Sequence, residues 1–154
     1  MSLLNKKAPN FELQNGNFET INLQEIVGES NIVLLFYPLA FSSTCTEELC
    51  SVRDNMKIYD ALEAKVFGIS VDSLFVQKAF KKAQNLNFDL LSDFNKDAMK
   101  AYGVFDDDFF GMHGVSKRSV FVIDKEGIVR YEEIHDKSDV IPDFKAIQQT
   151  LGEI

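Results

Sequence analysis

The feature that most narrows the fold is Ile32-Val33-Leu34-Leu35-Phe36-Tyr37, six apolar residues in a row closed by Pro38. A strand with one wet face alternates apolar and polar residues. An unbroken run of this length instead fits a central strand covered on both faces. After a small polar loop, Leu49, Val52, Met56 and Tyr59 recur in steps of three and four, the spacing of an amphipathic helix over about residues 44–63. Val66 to Val71 reads as a second buried strand. Strand, helix, strand is a crossover unit, and it implies parallel pairing in an α/β sheet.

The rest of the chain adds edges to that unit. Phe11 to Leu13 and Phe18 to Asn22 flank Asn15-Gly16-Asn17 as a hairpin. Leu23 to Val27 reads as one helical turn. Phe75, Ala79, Ala83 and Leu86 mark a second helix, capped by Asp72 or Ser73. Asp97 to Tyr102 reads as a short helix ended by Gly103. Residues 105–117 show no period and read as a loop. Ser119 to Ile123 and Ile128 to Glu133 form a second hairpin about Asp124-Lys125-Glu126-Gly127. Val140 to Leu151 closes the chain as a helix with Phe144, Ile147 and Leu151 inward and Pro142 in its first turn. The order predicts a central mixed sheet flanked by helices, with an N-terminal β-hairpin. No repeat or linker divides it, so residues 1–154 are expected to form one domain.

Charge removes several functions. Sixteen basic against 24 acidic residues leave a net charge of −8, which repels nucleic acid and anionic membrane surfaces. No apolar run approaches the roughly 20 residues that span a bilayer. The N-terminus lacks the apolar stretch of a secretion signal. The expectation is a cytoplasmic protein whose two cysteines are kept reduced, and so are reactive or metal-binding rather than a staple. The C-x4-C spacing with His113 and His135 is not a zinc pattern, and Asp106-Asp107-Asp108 lacks the spacing of a calcium loop. No cofactor is expected.

The chemistry concentrates in Pro38-Leu39-Ala40-Phe41-Ser42-Ser43-Thr44-Cys45-Thr46-Glu47-Glu48-Leu49-Cys50. Cys45 falls in the first turn of a helix, beyond the carboxyl end of a buried strand, where α/β sheets place their ligands. Free N–H groups there favour a thiolate. Lowering a thiol pKa from about 8.5 to about 6 raises the thiolate fraction roughly 30-fold but costs roughly 13-fold in nucleophilicity. Ionisation alone therefore gains only about twofold. A fast thiol reaction with peroxide also needs donors for charge developing on the leaving oxygen. Candidates are the backbone N–H groups near Thr44 and Cys45, the Ser42 hydroxyl and an arginine. Of the three arginines, Arg118 at the start of the late hairpin is preferred to Arg53 on the cysteine helix and to Arg130 inside a strand. Pro38 ends the strand, fixes the loop's entry angle and shields the sulfur from bulk water.

Pro38-x-x-x-Ser42-x-x-Cys45 resembles the active-site motif of the peroxiredoxins, with Ser at a position that is usually Thr. Glu48 matches an acidic position that helps orient the family's arginine, and Arg118 matches that arginine. The segment Val66-Phe-Gly-Ile-Ser-Val-Asp-Ser73 resembles the family's strand-to-helix junction. The resemblance covers nearly the whole chain. It implies a thioredoxin-like fold and a thiol peroxidase that reduces hydrogen peroxide and organic hydroperoxides through a Cys45 sulfenic acid. It also implies re-reduction by thioredoxin or a glutaredoxin-like protein, and admits a homodimer.

Within the family, Cys50 resembles the resolving cysteine of the bacterioferritin-comigratory-protein branch. Tyr37 to Phe41 and Ala101 to Phe105 resemble the alkyl hydroperoxide reductase E-like branch, usually described with one catalytic cysteine. Cys50 is thus a resolving or a structural residue. Five residues along a helix separate two Cα atoms by about 8.7 Å, and a disulfide needs them within about 7 Å. A Cys45–Cys50 bond therefore requires the first helical turns to unwind after Cys45 becomes a sulfenic acid. A peroxide-sensing redox relay would use the same cysteines, whereas a dithiol exchanger would need a C-x-x-C pair that is absent. Phe41, Phe109, Phe110 and Met112 are candidates for an apolar pocket for organic hydroperoxides.

Overall fold

A computed structural model describes residues 2–154. The elements run β1 (Glu12–Asn15), β2 (Thr20–Asn22), α1 (Leu23–Ile26), β3 (Asn31–Phe36), α2 (Ser43–Asp54), α3 (Met56–Ala61), β4 (Ala64–Ser70) and α4 (Leu74–Ala83). They continue with β5 (Asp89–Ser92), α5 (Asp97–Ala101), β6 (Phe105–Asp106), β7 (Val115–Ser116), β8 (Ser119–Ile123), β9 (Val129–Ile134) and α6 (Phe144–Glu153). Seven strands form one sheet in the order β2-β1-β5-β4-β3-β8-β9, and β6 and β7 pair separately. Strands β3, β4 and β5 are parallel, whereas β1, β2, β8 and β9 join antiparallel.

All six residues of β3 are buried, which is why the run carries no polar alternation. Ile32, Leu34 and Phe36 pack with Met99, Tyr102 and Phe121 on one side of the sheet. Val33, Leu35 and Tyr37 pack on the other side with Leu49 and Val52 of α2, Phe80 of α4, and Ile147 and Leu151 of α6. Gly68 lies in β4 at the sheet centre. A Cβ there would come within 2.7 Å of Leu90 and 3.2 Å of the Tyr37 ring, so the absence of a side chain makes room for both against β4.

The structure departs from the sequence reading at five places. Residues 105–117, read as a loop, contain β6 and β7, which pair antiparallel. The helix expected over 44–63 breaks at Asn55, which ends α2 and begins α3 with φ −113° and ψ 17°. The short strand β5 has polar ends, and two apolar residues carry too little pattern to mark it. It pairs with both β4 and β1 and thereby joins the N-terminal hairpin to the sheet. Phe18 is in the hairpin turn rather than in β2, with φ 64°, while the Asn15 side chain accepts from the Asn17 and Glu19 N–H groups. Helix α6 starts at Phe144 with the Asp143 side chain as cap, so Pro142 precedes the helix.

Candidate active site

The site forms where β3 gives way to α2. Tyr37 extends the pairing of β3 by donating its N–H to the Ile69 carbonyl. Buried Pro38 then turns the chain, and Phe41 adopts a left-handed φ of 68°, a conformation that a bulky residue holds only when its surroundings compensate. Three contacts do so. The Ala40 N–H donates to Asp72 Oδ2 at 2.7 Å, the Ser42 hydroxyl donates to the Leu39 carbonyl at 2.9 Å, and the Phe41 ring packs on Phe80 with centroids 4.9 Å apart. Asp72 is fixed in turn by the Ser70 hydroxyl at 2.6 Å. Ser70 accepts from the buried amide of Gln77, which itself accepts from the Tyr37 hydroxyl.

Ser42 caps α2 through its backbone, and its carbonyl accepts from both the N–H and the hydroxyl of Thr46. Its own hydroxyl proton is engaged with Leu39. Toward a ligand, Ser42 is therefore left with acceptor lone pairs only.

Cys45 is the third residue of α2 and has no exposed surface. Arg118, 2% exposed, enters from the start of β8. Its Nη1 donates to Cys45 Sγ at 3.4 Å and to Glu48 Oε1 at 2.6 Å. Nη2 and Nε both donate to the Ser138 carbonyl, at 2.8 and 3.3 Å. The guanidinium is thus held on one edge by a backbone oxygen and presents the other to sulfur and carboxylate. Burial pulls the Arg118 pKa down, but Glu48 and Cys45 beside it leave it above its ordinary value.

Glu48 is fully buried, and its Oε2 has no hydrogen-bond partner. Burial pushes its pKa from 4.5 up to about 7, against the pull of Arg118 and aided by Glu133. The pair therefore keeps the arginine charged and meets the cost of burial on the carboxylate, the group with an unsatisfied oxygen. A carboxyl raised in this way stabilises the fold while it holds its proton, below pH 4.5, and that contribution is lost as pH rises to about 7. Urea titrations should show wild type losing up to about 3 kcal/mol relative to Glu48→Gln across that window. A constant difference across the window would show that Glu48 does not titrate there.

The other candidate residues lie apart. Cys50 is on the same helix as Cys45, half-buried, and both thiols are free. Arg53 pairs with Asp54 and the Gln84 carbonyl, and Arg130 with Asp124. Phe110, 84% exposed, and Met112 stand out on the connection between β6 and β7. A cleft of about 440 Å³ lies between β1, the start of α4 and the turn after β5. It is lined by Leu13, Phe75 and Phe94 and contains none of the residues around the sulfur. Asp72 and Ser138 escaped the sequence reading. Asp72 offered only a capping signal, and Ser138 contributes a carbonyl that any residue would supply.

The arrangement sets a buried sulfur against a fixed cation. Free backbone donors of a helix start and an acceptor hydroxyl lie on the adjoining loop. It can take up a small neutral molecule that bears both a proton to donate and an atom that becomes negative.

A family model described as the AhpC/TSA family matches residues 4–132. The chain is 32% identical over 146 residues to the chloroplastic 2-Cys peroxiredoxin BAS1 of Spinacia oleracea, covering 88% of this chain and 54% of that protein. It is 33% identical over 135 residues to alkyl hydroperoxide reductase E of Mycobacterium tuberculosis, covering 86% of each. It spans about half the length of the chloroplastic relatives from Spinacia oleracea and Arabidopsis thaliana. Among solved structures, peroxidoxin BcpB of Mycobacterium tuberculosis superposes with a TM-score of 0.88 at 27% identity, over 100% of this chain and 99% of that one. Reduced 2-Cys peroxiredoxin of Plasmodium vivax gives 0.85 at 27% identity, over 99% and 81%. The mixed sheet with flanking helices is the thioredoxin-like architecture of these structures.

Proposed function

The chain belongs to the AhpC/TSA family, and from that premise we propose that it is a thiol peroxidase in which Cys45 reduces hydrogen peroxide or an organic hydroperoxide. The observation that carries the reading is the contact of one guanidinium nitrogen, Arg118 Nη1, with both Cys45 Sγ and Glu48 Oε1. The thiolate attacks one peroxide oxygen, an S–O bond forms and the O–O bond breaks. The departing alkoxide or hydroxide takes a proton and leaves as alcohol or water, and Cys45 becomes a sulfenic acid. Arg118 and the N–H groups at the start of α2 stabilise the charge on the departing oxygen. Ser42, with its proton bound to Leu39, accepts from the peroxide O–H and orients it. Because Cys45 has no exposed surface, side chains over the sulfur must shift to admit the peroxide.

Cys50 then resolves the sulfenic acid as an intramolecular disulfide. A dithiol reductant of the thioredoxin or glutaredoxin kind restores both thiols. A reducing compartment such as the cytoplasm suits this cycle. The second reading, a one-cysteine cycle in which Cys50 is structural, is favoured by the seating of Cys50 against Gln84 within an intact helix. Intact-mass analysis with peptide mapping after one equivalent of peroxide separates the two. A Cys45–Cys50 disulfide is expected. Sulfenic acid that persists on Cys45 would establish the one-cysteine cycle.

A further inference from the structure

The connection between β9 and α6, residues 135–143, supplies the Ser138 carbonyl that accepts from Nη2 and Nε of Arg118, at 2.8 and 3.3 Å. That oxygen fixes one edge of the guanidinium and so decides where Nη1 points on the other. Little within the connection holds it in place. Among the described residues, no backbone group of residues 136–142 pairs with another backbone group. Asp136, Lys137, Asp139 and Val140 are exposed. The ion pair of Lys117 with Asp136 has the aspartate side chain 88% exposed, a setting in which such a pair contributes little.

Glu133 does the holding. In the register of β8 and β9 it lies across from Val120, which packs in one cluster with Cys45 and Leu49. Side chains alternate along a strand, so Arg118, two residues before Val120, emerges on that same face. The His135 N–H donates to the Arg118 carbonyl at 2.9 Å and extends the ladder to it. Glu133 Oε1 accepts from the Tyr131 hydroxyl at 2.6 Å and from the Asp143 N–H at 3.1 Å. Its Oε2 accepts from His135 Nε2 and from the same Asp143 N–H at 3.2 Å. His135 begins the connection and Asp143 ends it. One carboxylate, itself fixed to β9 by Tyr131, thus ties together both ends of the segment that carries Ser138. Tying the ends removes conformations from the residues between them, and buried Pro142 restricts the backbone just before the second tie.

We propose that Glu133 is a positioning residue for peroxide reduction, which fixes the Ser138 carbonyl and through it aims Arg118 at Cys45; this rests on the reading of Cys45 as the thiol that reduces peroxide. Without the tie the carbonyl loses its defined place. The guanidinium then keeps its ion pair with Glu48 but not its second anchor, and Nη1 no longer meets the departing oxygen at one fixed position. A misplacement of about 1 Å can slow a reaction on the order of 10²-fold, whereas deleting a preorganised donor slows it by about 10²- to 10³-fold. Loss of the tie therefore has a smaller effect than loss of the arginine. It acts on the step in which the S–O bond forms and the O–O bond breaks, and leaves the products unchanged.

The test is the second-order rate of Cys45 oxidation by hydrogen peroxide at pH 8, in wild type, Glu133→Ala, Glu133→Gln, Arg118→Met, and Arg118→Met combined with Glu133→Ala. Glu133 also helps to raise Glu48 to about 7. At pH 8 that carboxyl is mostly ionised with or without the neighbouring charge, so the comparison reads the tie and not the charge. Glu133→Ala should be slower than wild type by about 10- to 100-fold. Glu133→Gln should restore most of the rate, because its carbonyl accepts from the Asp143 N–H and its amide donates to His135 Nε2 in the other ring tautomer. With Arg118→Met present, adding Glu133→Ala should slow the reaction by less than about twofold, since no guanidinium is left to aim. A Glu133→Ala protein as fast as wild type would overturn the proposal. So would equal losses with and without Arg118, which would mark general damage to the fold, or a Glu133→Gln protein as slow as Glu133→Ala. A wild type whose Cys45 is not oxidised at all would instead remove the peroxidase reading, and the role of Glu133 with it.

Discussion

Cys45→Ser should consume no peroxide above background with either dithiothreitol or thioredoxin as reductant. A loss of at least about 10⁴-fold is expected, the scale on which removing a nucleophile costs an enzyme that depends on one. The substitution is suited to the question because serine nearly keeps the shape of the site. The hydroxyl oxygen can still accept from Arg118 Nη1, so no buried donor is abandoned. The melting temperature should therefore stay close to that of wild type, and a loss of rate can be assigned to the sulfur. Cys50→Ser gives the contrasting pattern. It should keep its turnover with dithiothreitol, which reduces the Cys45 sulfenic acid directly. It should lose much of its turnover with thioredoxin, which acts on a disulfide. Full activity in Cys45→Ser would end the assignment of residue 45 as the nucleophile.

Legibility in the sequence followed the range of the forces involved. Local signals were readable: the fully apolar run of β3, the helical spacing of Leu49 and Val52, and the cap of α4, read as Asp72 or Ser73 and found at Ser73, all survive in the structure. The break at Asn55 was not, because Met56 and Tyr59 keep the apolar spacing across it. Strand β5 was hidden for a different reason: its place comes from pairing with β4 and β1, which lie far from it in sequence. At the site, Cys45 and Ser42 share one segment and their spacing grouped them, whereas Glu48, in the same segment, was assigned only by motif resemblance. Arg118 lies 73 residues from Cys45, and only motif resemblance and its place at a strand start pointed to it. The polar anchors Asp72 and Gln84 work through single hydrogen bonds set by the tertiary fold, and such bonds leave no period in a sequence.

Arg118 serves both catalysis and stability in this site, and the two can be separated. Replacing it with Met deletes the donor to the sulfur and leaves Glu48 buried with neither oxygen paired. Without the guanidinium the Glu48 carboxyl, already raised to about 7 beside it, keeps its proton at neutral pH, so stability should fall by about 1–3 kcal/mol, the cost of an unpaired buried polar group. The rate of sulfenic acid formation should fall by about 10²- to 10³-fold, the usual loss when a preorganised donor is removed. A damaged fold alone could slow the reaction, so the deciding protein is Arg118→Met combined with Glu48→Leu. With no buried polar group left at either position, stability should return most of the way, because replacing both members of an ion pair by apolar residues is far less costly than removing one. The rate should not return, since nothing then faces the departing oxygen in place of the guanidinium. Arg118→Lys marks the intermediate case. An ammonium keeps the charge but not the planar fork that reaches Cys45, Glu48 and the Ser138 carbonyl together. It should fold, and react more slowly than wild type. If the double variant instead reacted at the wild-type rate, the guanidinium would be a counter-ion for Glu48 and nothing more, and the charge on the departing oxygen would have to be met by the backbone donors at the start of α2 alone.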